Sequence, residues 1–355
     1  MIGLMGELLQ LGGVKTMSDE GYLSAGVDRS AAARAKTSIS KHARTTFTPQ
    51  VVGDIGFFGS LYRLEGFRDP VLVSHTDGVG TKLRVAALLG RYHTVGEDIV
   101  HHCVNDILTC GAKPLFFLDY IGMGKLIPEK AEELVEGMAR ACRAIDCALI
   151  GGETAELPGL YQAEDFDLVG FIVGAAERSQ LIDGSRIKIG DVLMGIPSSG
   201  LHTNGYSLVR RVFGVDDNPS VLEERPPELE GRVLGDELLI PHRCYYLELA
   251  PVLDRIRGMA HITGGGLLEN MPRILPPGVA ARFRIGSWEV PPIFRLVQGR
   301  GGLPEKEMFG VFNMGLGMVL AVGEHDVAVV QAAVQDARVI GEVVLQEREE
   351  QILLE

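Results

Sequence analysis

The stretch from Ser74 to Pro114 narrows most sharply what this chain can become. An apolar run, Val71-Leu72-Val73, leads into Ser74-His75-Thr76-Asp77-Gly78-Val79-Gly80-Thr81-Lys82, and further on comes Asp106-x4-Gly111-Ala112-Lys113-Pro114. Each half pairs a carboxylate with glycines. Aspartate oxygens suit Mg²⁺, a hard cation, glycines let backbone N–H groups approach phosphate oxygens, and Lys82 adds a point charge. A tight turn with Asp77 as its cap explains either half alone; the two together point to a magnesium and phosphate site. The apolar run predicts a strand over 71–76, which puts Asp77 at the C-terminal end, where open sheets commonly hold ligands.

The chain has 355 residues, more than one hydrophobic core usually supports, so two domains are expected, 17–180 and 181–355, after an appendage over 1–16. With 46% hydrophobic and 23% charged residues, both domains should be folded. A formal net charge of −13 excludes a broad basic surface for nucleic acid or anionic membrane. An anionic substrate must be met locally by glycines, lysines and metal. Five cysteines without CxxC or Cys/His ligand spacing read as reduced thiols. No apolar run approaches a membrane span, and 1–16 has neither a basic n-region nor a small-residue cleavage site. A cytoplasmic protein is the expectation.

Along the chain, Gly53, Gly56 and Gly59 suggest a flexible or phosphate-cradling loop. Ile99, Cys103, Ile107 and Cys110 recur at helical spacing over 98–110, with Asn105 and Asp106 beside that stripe and Gly111 as the stop. His101 and His102 read as surface or satisfied interior histidines, without carboxylate–histidine spacing. Strands are predicted over 115–121, 148–150, 168–176, 192–196, 280–285, 319–322 and 339–345. Helices are predicted over 128–145, 242–253 and 326–337, with another through Leu208, Val209 and Val212. Gly151-Gly152-Glu153 follows the 148–150 strand and repeats the design of glycines plus an acid, making Glu153 a third metal-ligand candidate beside Asp77 and Asp106. A helix cap by Thr154 and Glu156 explains the same residues. The small-polar loop 198–207 places His202 between Ser199 and Asn204, as acid, base or phosphate donor, or simply as a hydrogen-bonded loop histidine. Gly264-Gly265-Gly266 costs entropy unless something must approach the backbone, and a substrate phosphate is the natural candidate.

With these loops together, the chain resembles the aminoimidazole ribonucleotide synthetase (phosphoribosylformylglycinamidine cyclo-ligase) family over about 21–344. The resemblance is carried by Ala25-Gly26-Val27-Asp28, Thr76 to Lys82, Cys103-Val104-Asn105-Asp106, Pro114 to Tyr120, Gly151 to Glu156, His202 to Arg210, His261 to Gly266 and Phe312-Asn313-Met314-Gly315. The Asp106 pattern alone is shared with a superfamily that includes formylglycinamidine ribonucleotide synthetase, selenophosphate synthetase, thiamine monophosphate kinase and a hydrogenase maturation protein. The resemblance implies a small nucleotide substrate and ATP-dependent closure of an imidazole ring through an iminophosphate. It also implies an α+β or α/β fold in which the N-terminal mixed sheets of a homodimer pair into a barrel and the C-terminal α/β layers lie outside. Asp77, Asp106 and Glu153 would hold Mg²⁺, with K⁺ as a further ion. Asp77, Gly78, Gly80, Thr81, Lys82, Asn105, Gly111 and Gly152 would bind ATP. His202, Lys82 and Asp106 would be catalytic, and Asn204, Thr263, Gly264, Gly265 and Gly266 would bind substrate. The chain departs from the family pattern at Asp54 and Phe57, where glycines are usual, at Leu201, where proline is common, and at His75, where a small residue is usual.

Overall fold

The computed structural model describes residues 28–56 and 58–355. The Ala25-Gly26-Val27 part of the first motif, the appendage and Phe57 lie outside them. Asp28 caps the first helix, α1 (Arg29–Arg44), by accepting the Ser30 and Ala31 N–H groups. A two-stranded ribbon, β1 (Val51–Val52) and β2 (Leu61–Tyr62), follows. Next come β3 (Pro70–Gly78), α2 (Lys82–Leu89), α3 (His93–Leu108), β4 (Lys113–Met123), α4 (Pro128–Ala144), β5 (Ala148–Glu156) and β6 (Phe166–Glu177). They build a four-stranded sheet of order β3-β6-β4-β5, in which only β4 and β5 are parallel.

Helices α3 and α4 cover one face of this sheet. Pro128 starts α4 at its first turn, and the predicted stripe Ala131, Leu134, Val135, Met138 and Cys142 is buried. The two helices cross at a close approach that only glycine permits: a Cβ on Gly96 would collide with the Leu134 carbonyl, and one on Gly137 with the His93 carbonyl. That contact fixes the height of α3 over the sheet, and with it the position of every side chain α3 presents to β3.

The second half comprises β7 (Val192–Pro197), α5 (Tyr206–Phe213), α6 (Leu234–Leu238), α7 (Tyr246–Leu249), β8 (Ile256–His261), α8 (Gly266–Asn270), β9 (Val279–Phe283), α9 (Pro292–Gly301), α10 (Glu305–Val311), β10 (Leu316–Val322), α11 (Val327–Ala333), β11 (Arg338–Leu345) and β12 (Ile352–Leu354). Its six-stranded sheet runs β12-β9-β11-β7-β10-β8, antiparallel except for β12 on β9. Every residue of β10 is buried. The architecture is mixed α/β, with the two sheets contributed by separate halves of the chain.

Two expectations change. The strand predicted over 148–150 continues to Glu156, so Gly151-Gly152-Glu153 is not a loop past a strand but part of β5, paired with Leu118, Asp119 and Tyr120 of β4. The helix predicted over 242–253 starts only at Tyr246 and passes into a 3₁₀ turn after Leu249. Residues 241–245 instead run as an irregular segment along α3, whose side chains take the backbone bonds a helix would have used. Asp98 Oδ1 accepts the His242 N–H at 2.7 Å, His101 Nδ1 lies 2.6 Å from the His242 carbonyl, and Asn105 both donates to the Arg243 carbonyl at 2.8 Å and accepts the Tyr245 N–H at 3.0 Å. Such side-chain partners satisfy buried backbone as a helix would.

Candidate active site at the join of the two halves

Strand β3 alternates its side chains, so His75 and Asp77 share the face turned toward α3. On α3, His102 and Asp106 stand one turn apart and form an i,i+4 pair. The four side chains meet. His75 Nε2 lies 3.0 Å from Asp106 Oδ2 and 3.5 Å from Asp77 Oδ2; His102 Nε2 lies 3.1 Å from Asp77 Oδ2 and 3.4 Å from Asp106 Oδ2. The second half closes the cluster, because His261 Nδ1 is 2.9 Å from Asp106 Oδ1 and His102 Nδ1 is 2.8 Å from Thr203 Oγ1. From His261 a row of rings continues: its Nε2 is 3.0 Å from His242 Nε2, and His242 stacks on His202 with centroids 3.8 Å apart.

The electrostatics follow from this crowding. Burial alone would raise both aspartates, but the imidazoles of His261, His75 and His102 hold Asp106, and those of His102 and His75 hold Asp77, well below the usual carboxylate range. His75 is pushed up to about 9 by the Asp106 and Asp77 carboxylates beside it. Burial works against charge on His102, yet the same two carboxylates raise it. His261, His242 and His202 are lowered, first by burial, and stay neutral.

The sequence-predicted site residues fall into separate places. Asp77 and Asp106 come together, and Asp77 Oδ1 accepts the Gly78 N–H at 2.7 Å. Gly80 and Thr81 line a neighbouring cleft of about 590 Å³ with Arg84, Tyr161, Arg210 and Asp216. A smaller cavity of about 210 Å³ opens beside Asp106 and His261, bordered by Met259, Asn270 and Arg273. Asn204 lies next to Thr203 at the edge of the cluster, and Thr263 holds Asn270 at 3.3 Å.

Lys82 is not available to a phosphate, which corrects its expected role. It is fully buried, with Nζ 2.7 Å from Asp98 Oδ2 and donating to the Ile240 carbonyl at 2.9 Å. Asn105 is likewise spent on the 243–245 backbone rather than on a nucleotide. Gly111, just past the end of α3, has a φ of 76° that disfavours any side chain, and a Cβ there would press tightly on Gln180 and Ile182. The triple glycine also has a structural cause: a Cβ on Gly265 would meet Glu269, one on Gly266 would meet the Phe309 and Phe312 carbonyls, and both have positive φ. Gly264 alone faces Asn204. His202 is buried with its Nε2 accepting the Ser199 N–H at 3.1 Å, the hydrogen-bonded loop histidine rather than a free acid.

Glu153 stands elsewhere. The register runs Gly78, Val169, Tyr120, Glu153 across the sheet, which puts Glu153 three strands from Asp77, roughly 14 Å away, and by alternation on the opposite face. It lines a cavity of about 300 Å³ with Asp119, Gly152 and α1 residues such as Lys36 and Ser40. The expected three-carboxylate Mg²⁺ shell therefore does not assemble within one chain. Imidazole nitrogens stand beside the two carboxylates that do meet, and an all-oxygen Mg²⁺ shell does not fit that donor set.

The histidines are what sequence reasoning missed. His102 does have carboxylate–histidine spacing, to Asp106 four residues on, and His75 stands two before Asp77 on a strand. His242 was hidden by the helix expected there.

Two family models match the chain, AIR synthase related protein, N-terminal domain over residues 62–176 and AIR synthase related protein, C-terminal domain over residues 188–353. The phosphoribosylformylglycinamidine cyclo-ligase of Caldicellulosiruptor bescii is 52% identical over 321 residues, 90% of this chain and 94% of that protein. The chain belongs to the phosphoribosylformylglycinamidine cyclo-ligase family. The cyclo-ligase of Geobacillus kaustophilus is 53% identical over 311 residues, 86% of this chain and 89% of its own. Among solved structures, thiamine-monophosphate kinase from Stenotrophomonas maltophilia superposes with a TM-score of 0.66 at 16% identity, covering 90% of this chain and 96% of that one. The hydrogenase maturation protein HypE in complex with ATP gives 0.65 at 17% identity, covering 94% and 93%. Both show the shared fold. No helix among the described residues is long and apolar enough to cross a membrane.

Asp119, buried on β4 beside Gly152, offers a pH test of the neighbouring cavity. Burial pushes its carboxyl up to about 7. Because the folded state keeps the proton that the unfolded chain loses near pH 3.9, stability falls as pH rises from about 4 to about 7, by about 1.4 kcal/mol per unit. Asp119→Asn should remove that slope in urea unfolding series between pH 5 and 8. A variant with the parent's slope would contradict the assignment.

Proposed function

We infer that this cyclo-ligase closes the imidazole ring of formylglycinamidine ribonucleotide, consuming ATP and releasing aminoimidazole ribonucleotide, ADP and phosphate, at the join of its two halves. The observation that carries the location is the meeting of Asp77 and Asp106 from the first half with Thr203 and His261 from the second, beside the Asp106–His261 cavity. ATP as phosphoryl donor is supported by the family, whose fold is shared by a maturation protein solved with ATP.

In the chemistry that fits, the γ-phosphoryl group passes to the formyl-derived amide oxygen and gives an iminophosphate. A neighbouring amidine nitrogen then attacks that carbon; the C–N bond forms, the C–O bond breaks, and phosphate leaves with the oxygen. Such a transfer asks the protein for positioning and charge compensation more than for a nucleophile. Gly80 and Thr81 offer backbone groups in the adjoining cleft, where Arg84 and Arg210 are paired with Asp216 and would have to exchange that carboxylate for a phosphate. Gly264 and Asn204, which face each other next to Thr203, offer backbone and an amide.

The same reading includes a homodimer joined through the first sheet. Its face away from α3 and α4 carries Leu72 on β3, 61% exposed, Phe171 on β6, 39% exposed, Val173 beside it, and Phe116 and Leu118 on β4, with Tyr62 of the ribbon packed on Phe116. An apolar sheet face left open asks for a partner layer, and a second copy supplies one of matching shape. Leu72→Asp should shift the protein to monomer in sedimentation analysis; an unchanged dimer would place the contact elsewhere.

Ring closure is tested by following aminoimidazole ribonucleotide and ADP together from formylglycinamidine ribonucleotide and ATP. Asp106→Asn should lower kcat by about 100- to 1000-fold, the scale of removing an electrostatic stabiliser of the transition state. Turnover like the parent's would remove Asp106 from the site.

A further inference from the structure

We propose that His75, Asp77, His102 and Asp106 form a preformed site for one divalent first-row transition metal ion of the zinc class. The proposal shares Asp77 and Asp106 with the ring-closure site and rests on that reading only for its position.

Nε2 of His75 and Nε2 of His102 each lie against Oδ2 of Asp77 and Oδ2 of Asp106, and donor atoms of His75, Asp77 and Asp106 all lie within 4.8 Å of one another. The four nitrogen–oxygen separations are 3.5, 3.0, 3.1 and 3.4 Å. Ligand atoms at the corners of a tetrahedron around Zn²⁺, each at a normal bond length, stand about 3.4 Å apart. The spacing that produces this is local and simple, since H-x-D on β3 and H-x3-D on α3 each put a histidine and an aspartate on one face.

The outer hydrogen bonds aim the same four atoms inward. Asp77 uses Oδ1 for the Gly78 N–H and Asp106 uses Oδ1 for His261, which leaves both Oδ2 atoms facing the centre. His102 gives Nδ1 to Thr203, which leaves its Nε2 facing the carboxylates. Metal-bound histidines and carboxylates are held by such outer partners. His75 supplies a further sign. Its Nε2 is buried and faces both carboxylates, 3.0 Å from Asp106 Oδ2 and 3.5 Å from Asp77 Oδ2, so a proton or a metal ion there is shared by the two.

Two imidazoles with two carboxylates favour zinc, cobalt, iron or manganese over magnesium, which prefers oxygen alone. The side chains of His75 and Asp77 remain 34% and 41% exposed, so an ion there stays reachable from solvent and can take a further oxygen ligand.

The test uses the full-length protein after treatment with chelator, titrated with Co²⁺ and followed by its visible absorption. Expected are one Co²⁺ per chain, a band of the tetrahedral or five-coordinate kind, displacement by Zn²⁺, and no displacement by a hundredfold excess of Mg²⁺. His75→Gln and His102→Gln should each weaken Co²⁺ binding by about 100-fold or more, since losing even an outer partner costs about 10–100-fold. His102 is buried, so thermal unfolding without metal checks its variant, and the more exposed His75 keeps the test decisive if that variant fails to fold. Absence of the band, displacement by Mg²⁺, or parental affinity in His75→Gln would overturn the proposal. Ring closure assayed on Asp106→Asn separates the two readings: a cobalt site in a parent whose Asp106→Asn variant still turns over sinks only the ring-closure location, and no cobalt site with turnover lost sinks only the metal.

Discussion

The buried ion pair of Lys82 and Asp98 is the contact on which the rest of the site depends. Both side chains are fully excluded from solvent, with Nζ and Oδ2 2.7 Å apart. Burial pushes the lysine down and the aspartate up, so each pays for desolvation and the pair survives only by satisfying its remaining bonds. Those bonds go to the other half of the molecule: Lys82 to the Ile240 carbonyl and Asp98 to the His242 N–H. A charged pair from the first half thereby sets the path of 240–245 in the second.

That path has chemical consequences. Held along α3 by Asp98, His101 and Asn105, the segment delivers His242 against His202 and His261. His261 then reaches Asp106, and Thr203 reaches His102. The cluster is thus built by two layers of constraint. The Gly96 and Gly137 crossing sets α3 over β3, and the buried pair sets the second half against α3.

Much of the scaffold was legible in the sequence because local pattern and tertiary role agree there. The amphipathic stripe of 128–145, the apolar run before Asp77 and the buried run of β10 each have one comfortable solution. Meeting of Asp77 and Asp106 was legible for the same reason, as strand end and helix face. Lys82 was not, because its motif promises a phosphate contact while a partner sixteen positions away in sequence claims its charge. Glu153 was misplaced because a glycine pair that looks like a loop continues β5, where Gly152 makes room for Asp119 rather than for a ligand. His242 was hidden because helical periodicity says nothing of side chains that replace helical hydrogen bonds. The cyclo-ligase family itself was visible in the motifs, several of which, among them Thr76 to Lys82, Cys103 to Asp106, His202 to Arg210 and His261 to Gly266, lie where the two halves touch.

The central claim is that the Lys82–Asp98 pair couples the two halves. Urea unfolding of Lys82→Met, followed with one probe in each half, tests it most directly. Leaving Asp98 as an unpaired buried charge should cost about 3–5 kcal/mol and should lower the midpoints reported by both halves together. A variant whose second half unfolds at the parent's midpoint, or whose stability is unchanged, would contradict the account.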